Sequence, residues 1–211
     1  GSYAEWDGSR LHYCVNGQGV WDLKTDLAQM LGLDEDAVRV TNPDVGGGFG
    51  LKAQTFPEDF AIAQAARALG RPVRWQADRG EAMLSDHAGR DLVSQAEIGF
   101  DENFRITAYK VENLSNLGAY NSGFGQGIQS TLFAKVFAGT YDIRTAYLGC
   151  RGIYTNTTQT DAYRGAGRPE AIYVLERVMD TAARQLGISP WDLRRRNIIA
   201  PDAFPYRTVV G

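Results

Sequence analysis

The feature that most constrains the fold is the run Val45-Gly-Gly-Gly-Phe-Gly50, set between a strand predicted over Ala37–Thr41 and a helix opening at Pro57. Three consecutive glycines cost conformational entropy, so a fold that keeps them needs unusual φ values or close backbone approach. Such a run also lets N–H groups converge on an anion. Two standard phosphate loops fail against it. A P-loop needs Gly-Lys-Ser/Thr where this chain has Leu51-Lys52-Ala53, and a dinucleotide fingerprint needs a third glycine where Leu51 stands. From these residues alone, a tight strand-to-helix turn and a ligand-binding loop both stay open.

The flanking pattern alternates strands with helices. Residues 9–16 alternate as a strand, and Leu23, Leu27, Met30 and Leu31 fall at helical spacing before a stop at Gly32. Asp34 or Asp36 caps a short turn before the Ala37–Thr41 strand. Pro57-Glu-Asp opens a helix that runs through Leu69 to Gly70. A strand over Pro72–Ala77 is followed by a hairpin, Asp91–Phe100 and Phe104–Asn116, turning at Asp101–Asn103. Gly118–Gly127 holds four glycines and reads as an irregular loop near other backbone or a ligand. Thr145–Thr155 is a strand and Thr157–Pro169 a polar loop. Ala171–Leu186 is a helix with Ala171, Val174, Leu175, Val178, Ala182 and Leu186 on one face, and Ser189-Pro190 opens another over Trp191–Ile199. The mixture predicts α+β layers with sheets covered by helices. Gly1-Ser2 is given no structural meaning.

The 211 residues suffice for one large domain or two small lobes. A net charge of −3, from 22 basic and 25 acidic side chains, argues against nucleic acid or a membrane surface as the main partner. No apolar run approaches the roughly 20 residues of a membrane span, and no leader peptide opens the chain. Cys14 and Cys150 are far apart, as are His12 and His87, so no set of about four clustered zinc ligands exists. The cysteines read as buried or partly buried thiols in a reducing compartment, and the composition suggests a cytoplasmic protein.

Two further glycine segments compete with the first. In Asp161-Ala-Tyr-Arg-Gly-Ala-Gly-Arg-Pro-Glu170, Arg164 and Arg168 flank exposed backbone just before a helix, which suits an oxyanion or a plain helix-entry loop. Asn116–Gly125 interleaves glycine with Tyr120 and Phe124, as a pocket lining or a mobile connection. Ser85-Asp86-His87 reads as a polar turn, since sequence neighbours rarely form a triad. Tyr141-Asp142 and Glu58-Asp59 read as solvated positions, and no residue stands out as a general base.

Taken in order, these segments resemble the molybdenum hydroxylases: xanthine dehydrogenase, aldehyde oxidase and the carbon monoxide dehydrogenase large chain. The order is Gln18, a helix ending Met30-Leu-Gly32, the glycine run, Arg74-Trp-Gln-Ala-Asp-Arg-Gly-Glu81, Ser115-Asn-Leu-Gly118, Tyr154-Thr-Asn-Thr157, Ala162-Tyr-Arg-Gly165 and Arg194-Arg-Arg-Asn197. The resemblance covers nearly the whole chain. It implies two-layer α+β lobes with mixed sheets, both long helices packed on one face, and lobes meeting near residues 110–125. It implies that Gln18, Gly47, Gly48, Phe49, Gly50, Arg164 and Gly165 bind a molybdenum–molybdopterin cofactor in a dinucleotide form, with no protein ligand direct to the metal. It also implies partner subunits carrying iron–sulfur clusters and FAD, in a dimer of heterotrimers. The activity implied is oxidation of an aldehyde or N-heterocycle with water as oxygen donor. A catalytically inactive cofactor-binding or interaction module of the same fold is the alternative.

Departures from the family pattern narrow the substrate. Ala53 stands where xanthine dehydrogenases carry a glutamate, Asn121 where they carry a purine-contacting arginine, and Ala166 where a phenylalanine sandwiches the purine. Those three positions are therefore expected in the substrate pocket, and purines are disfavoured. Gly165 replaces the cysteine of carbon monoxide dehydrogenases proper, which disfavours copper-dependent chemistry. The family's base, a glutamate in a Gly-Val-Gly-Glu segment, has no counterpart in residues 1–211. By this resemblance the chain is a fragment, inactive alone and with no catalytic residue of its own.

Overall fold

The strand predicted over residues 9–16 forms as β2, Leu11–Val15, because Leu11 and Tyr13 alternate into the core. In the computed structural model, which describes all 211 residues, the chain makes two compact units, Gly1–His87 and Ala88–Gly211. The segment 110–125, expected at a junction of lobes, lies inside the second.

The first unit is a four-stranded mixed sheet in the order β3-β2-β1-β4. β1, Ser2–Trp6, pairs antiparallel with β2 and with β4, Val73–Trp75, while β3, Val38–Thr41, runs parallel to β2. A parallel pair needs a crossover, and α1, Trp21–Leu31, supplies it. The left-handed Gly32 ends α1 as its sequence position predicts. Helix α2, Pro57–Leu69, lays Ile62, Ala63 and Ala66 on the core made by Ala4, Leu11, Tyr13, Leu27 and Val38. Each fully buried leucine there contributes about 1.5–3 kcal/mol.

Two expectations fail in this unit, and one helix lies outside them. Ser2 is not idle: it is buried and paired with both Val15 and Trp75. Asp59 is not solvated. As the third residue of α2 it accepts the Phe56 N–H at 2.9 Å and the buried Tyr13 hydroxyl at 2.7 Å. A third helix, α3, Arg79–Ser85, fills the stretch left unassigned between the strand predicted to end at Ala77 and the polar turn predicted from Ser85. Its start is a capping box: Asp78 accepts the Glu81 N–H at 2.8 Å and Glu81 accepts the Asp78 N–H at 2.9 Å.

The second unit is a three-stranded sheet, β5-β6-β7. The hairpin forms as predicted from β5, Leu92–Phe100, and β6, Ile106–Gly118, with β7, Ala146–Tyr154, parallel to β6. A helical turn, α4, Gly125–Gly127, continues into a π turn over Ile128–Leu132, so the loop predicted over 118–127 is helical at its end. Helices α5, Arg168–Leu186, and α6, Pro190–Asn197, follow. Leu175, Met179, Phe133, Phe137 and Leu193 close the core against Tyr109 and Val111. Each sheet thus carries its own long helix, α2 or α5, rather than both on one face.

Two polar anchors fix α6. Arg194 bonds Glu176 at 2.7 Å and Asp180 at 2.8 Å on α5. The buried Asn197 accepts the Ile106 N–H and donates to the Phe104 and Leu193 carbonyls, satisfying its whole amide. Tyr141, expected in solvent, is buried and donates to Glu176 at 2.7 Å. The cysteines are free and half-buried, and no helix is long and apolar enough to cross a membrane.

Candidate functional site

In the first unit the glycine run is held from below by the loop after β2. Asn42 brackets Gly17, donating to its carbonyl at 2.7 Å and accepting its N–H at 3.3 Å. The Gln18 N–H donates to the Lys52 carbonyl at 2.9 Å, and Lys52 bonds Asn16 through its ammonium. The exposed Gln18 side chain then reaches across to the run, where its Oε1 accepts the Gly50 N–H at 2.7 Å. A Cβ on Gly48 would fall 2.3 Å from the Gln18 side chain, so glycine at 48 is what admits it.

This arrangement sets the donors of the site. With Oε1 occupied, the Gln18 amide presents its Nε2 outward with no protein acceptor. The N–H groups of Gly46, Gly47 and Gly48 also donate to no protein atom. Phe49, 56% exposed, holds a left-handed φ of 55°, a strained conformation for a bulky residue. Ala53 donates to the Gly50 carbonyl at 3.1 Å and lines a cavity of about 220 Å³ together with Gln18. Five of the predicted residues (Gln18, Gly48, Phe49, Gly50 and Ala53) are therefore brought into one neighbourhood, with Gly47 beside them.

The second unit carries the remaining predicted residues. Ser122 donates to the Thr160 carbonyl at 2.7 Å and the Phe124 N–H donates to Asp161 at 3.1 Å, so the 118–125 loop is sewn to the next glycine loop rather than mobile. Asn121 accepts the Tyr154 hydroxyl at 2.7 Å on the exposed side. Arg164 and Gly165 are exposed, and Ala166 takes a φ of 40° with its N–H on the Tyr163 carbonyl at 2.7 Å.

Sequence reasoning missed the residues that organise these loops. Asn42, Lys52 and Asn16 set the Gln18 loop. Arg90 sets the other: it donates to the Arg164 carbonyl, stacks 4.6 Å over Tyr163 and pairs with the buried Glu170 at 3.2 Å. Nothing local marks any of the four, since their partners lie 25 to 80 positions away. A carboxylate with perturbed chemistry lines a cavity with Asn16, Gly17 and Lys52: burial pushes the Asp59 carboxyl above its ordinary value, against the lowering effect of the Tyr13 and Phe56 hydrogen bonds.

Comparison with known proteins decides the family. Residues 1–198 match the model of the molybdopterin cofactor-binding domain. The chain belongs to that family. It is 36% identical over 189 residues to the 6-hydroxypseudooxynicotine dehydrogenase complex subunit gamma of Paenarthrobacter nicotinovorans, covering 89% of this chain and 23% of that protein. It is 31% identical over 199 residues to the carbon monoxide dehydrogenase large chain of Hydrogenophaga pseudoflava, covering 93% and 25%. Among solved structures, quinoline 2-oxidoreductase from Pseudomonas putida 86 superposes with a TM-score of 0.93 at 34% identity, over 100% of this chain and 27% of that one. The chain spans about a quarter of the length of the curated relatives it matches.

The residues present fit a molybdopterin-type group. Three unbonded glycine N–H groups and the outward Gln18 Nε2 form a donor-only surface, which suits oxo and phosphate oxygens. No group of three His, Cys, Asp or Glu side chains lies together, so the donor set is one for a cofactor's oxygens rather than for a bare ion.

Proposed function

We propose that this chain is part of the large subunit of a molybdenum hydroxylase that oxidises an aldehyde or N-heterocycle with water as the oxygen donor. The observation that carries the proposal is the Gln18–Gly50 hydrogen bond, which aims Nε2 outward beside three open glycine N–H groups. When bound, the molybdenum–molybdopterin cofactor, in a dinucleotide form, supplies the two-electron redox chemistry. The chain's residues bind and orient it. Gln18 would donate from Nε2 to an oxygen of the cofactor, Gly47 and Gly48 would offer open backbone N–H groups, and Phe49 and Gly50 would complete the loop wall, Gly50 by holding Gln18. The family resemblance also assigns Arg164 and Gly165 to cofactor binding.

The family resemblance assigns Ala53, Asn121 and Ala166 to substrate-facing positions. Their small or neutral side chains offer a purine neither a charge partner nor an aromatic face. The name of one similar structure, quinoline 2-oxidoreductase, favours the N-heterocycle over the aldehyde. Two relatives are named as a complex subunit gamma and a large chain. They support partner subunits here as well; that these carry iron–sulfur clusters and FAD, in a cytoplasmic dimer of heterotrimers, is what the family resemblance implies and what we propose.

The test is expression of the complete subunit with its partners, assay of molybdenum and pterin, and a screen of aldehydes against N-heterocycles. Gln18→Ala is expected to retain the cofactor but lose about 10- to 100-fold in kcat. Unchanged kinetics would count against the role of Gln18. A loaded wild-type protein that turns over none of the substrates would favour the inactive module.

A further inference from the structure

Strand β5 pairs with β6 alone, so its other edge presents unpaired backbone donors and acceptors. Along that strand a groove of about 750 Å³ opens beneath α5, walled by Leu92, Ser94 and Ala96 and by Pro169, Val174 and Val178. Val174 and Val178 belong to the apolar stripe of α5, yet the buried face centres on Leu175, Met179 and Ala183 and leaves them half-covered. The stripe is thus wider than anything in residues 1–211 covers.

A polar group also points to an occupant. Glu170 is buried to 6% exposure in the groove lining. Its Oε1 is held by Arg90 and Gln129, each at 3.2 Å, but its Oε2 meets no donor. A buried carboxylate oxygen without a donor is costly, and a hydrogen-bond donor entering the groove would remove that cost. The groove runs from Pro169 to Thr181, about 18 Å at 1.5 Å per helical residue. That is the length of roughly five residues in a strand.

We propose that β5 and α5 form a docking groove for an extended segment of the same polypeptide lying outside residues 1–211. The segment pairs with the free edge of β5, covers Val174 and Val178 with apolar side chains, and brings an N–H-bearing side chain (Lys, Arg, Asn or Gln) to Glu170 Oε2. The source is chosen on length: this chain aligns with only 23% and 25% of the length of two curated relatives. The inference stands apart from the cofactor role of Gln18.

The test uses the complete gene product with a photo-crosslinking benzoylphenylalanine at Thr181, which lines the groove, and at Arg184 as control. The expected result is an intrachain adduct from position 181 to a residue outside 1–211, with none from 184. A reading frame confined to residues 1–211, an adduct to a second copy or to a different protein, or no adduct at all would overturn it. The near-isosteric Ser94→Cys gives a second measure that tolerates no bulky group. Its thiol is expected to react with a maleimide about 100-fold more slowly than that of Gln95→Cys, on the opposite face of β5. Equal rates would overturn the proposal.

Discussion

The two glycine loops use the same residue for opposite ends. In 46–50, glycine keeps backbone open: Gly46 has nothing within 4 Å of a would-be Cβ, and the close approaches, by Phe49 at Gly47 and by Gln18 at Gly48, are made by side chains. In 161–170, glycine is consumed by packing. A Cβ on Gly167 would lie 2.2 Å from the Ile128 carbonyl oxygen and 2.9 Å from the Phe133 nitrogen, with φ at 85°. The first loop thus leaves its backbone open, whereas Gly167 in the second seats α5 on the core. Composition alone does not tell them apart, because the difference lies in what approaches each glycine.

The largest effect separating the loops is expected at Gly167. Gly167→Ala meets backbone on two sides and a left-handed φ, and backbone cannot yield as a side chain does. A loss of about 3 kcal/mol or more in unfolding free energy is expected by denaturant titration. A loss below about 1 kcal/mol would mean that the loop yields and that its glycines are not packing residues.

The next effect is a coupling. The three atoms nearest a Gly48 Cβ all belong to the Gln18 side chain, 2.3 Å away, so the cost of Gly48→Ala should fall when Gln18 is shortened. A double-mutant cycle of Gly48→Ala with Gln18→Ala is expected to show about 1–2 kcal/mol of favourable coupling. Additive losses would show that Gly48 is required for a reason other than admitting Gln18.

Much of this was legible in the sequence, and the reasons for success and failure are physical. Helices α1, α2, α5 and α6 and the β5–β6 hairpin were readable because periodicity, proline starts and glycine stops are local signals. β1 was missed because Ser2 was discounted, although its neighbours alternate. α3 was missed although Asp78 and Glu81 stand at capping-box spacing, since the stretch is only seven residues long. Asp59 and Tyr141 were misplaced because burial of a polar side chain depends on partners, Tyr13 and Glu176, that sequence distance hides. The Gln18–Gly50 bond was not readable at all. Only the ordered family motifs put Gln18 beside the glycine run beforehand.

The two units also differ in how a carboxylate responds to pH. Burial raises the Asp59 carboxyl, so the folded first unit holds that proton more tightly than the unfolded chain does. Its contribution to stability is fully present below the unfolded carboxylate value and is lost as pH rises through the folded one. Asp142, lowered chiefly by the Tyr206 hydroxyl, has the opposite sign: its contribution is present above the unfolded value and fades as pH falls. Unfolding of the wild type and of Asp59→Asn from pH 3 to 7 is expected to show the wild type losing ground to the variant as pH rises. For Asp142→Asn the wild type is expected to gain ground. Parallel curves for Asp59→Asn would mean that folding leaves the Asp59 carboxyl at its unfolded value.

The smallest effect is the most discriminating for the open loop. Gly46 is exposed, its would-be Cβ meets nothing, and its φ lies outside the left-handed region, so alanine fits without strain. Because alanine has less freedom than glycine in the unfolded chain, Gly46→Ala should be neutral or stabilising by up to about 0.5–1 kcal/mol. In the complete, cofactor-loaded subunit the same methyl stands on the donor surface. A variant that is no less stable yet loses molybdenum or pterin would show that the loop's openness is spent on a ligand. A variant equal to wild type in both stability and cofactor content would place the ligand contacts at Gly47 and Gly48, closer to Gln18.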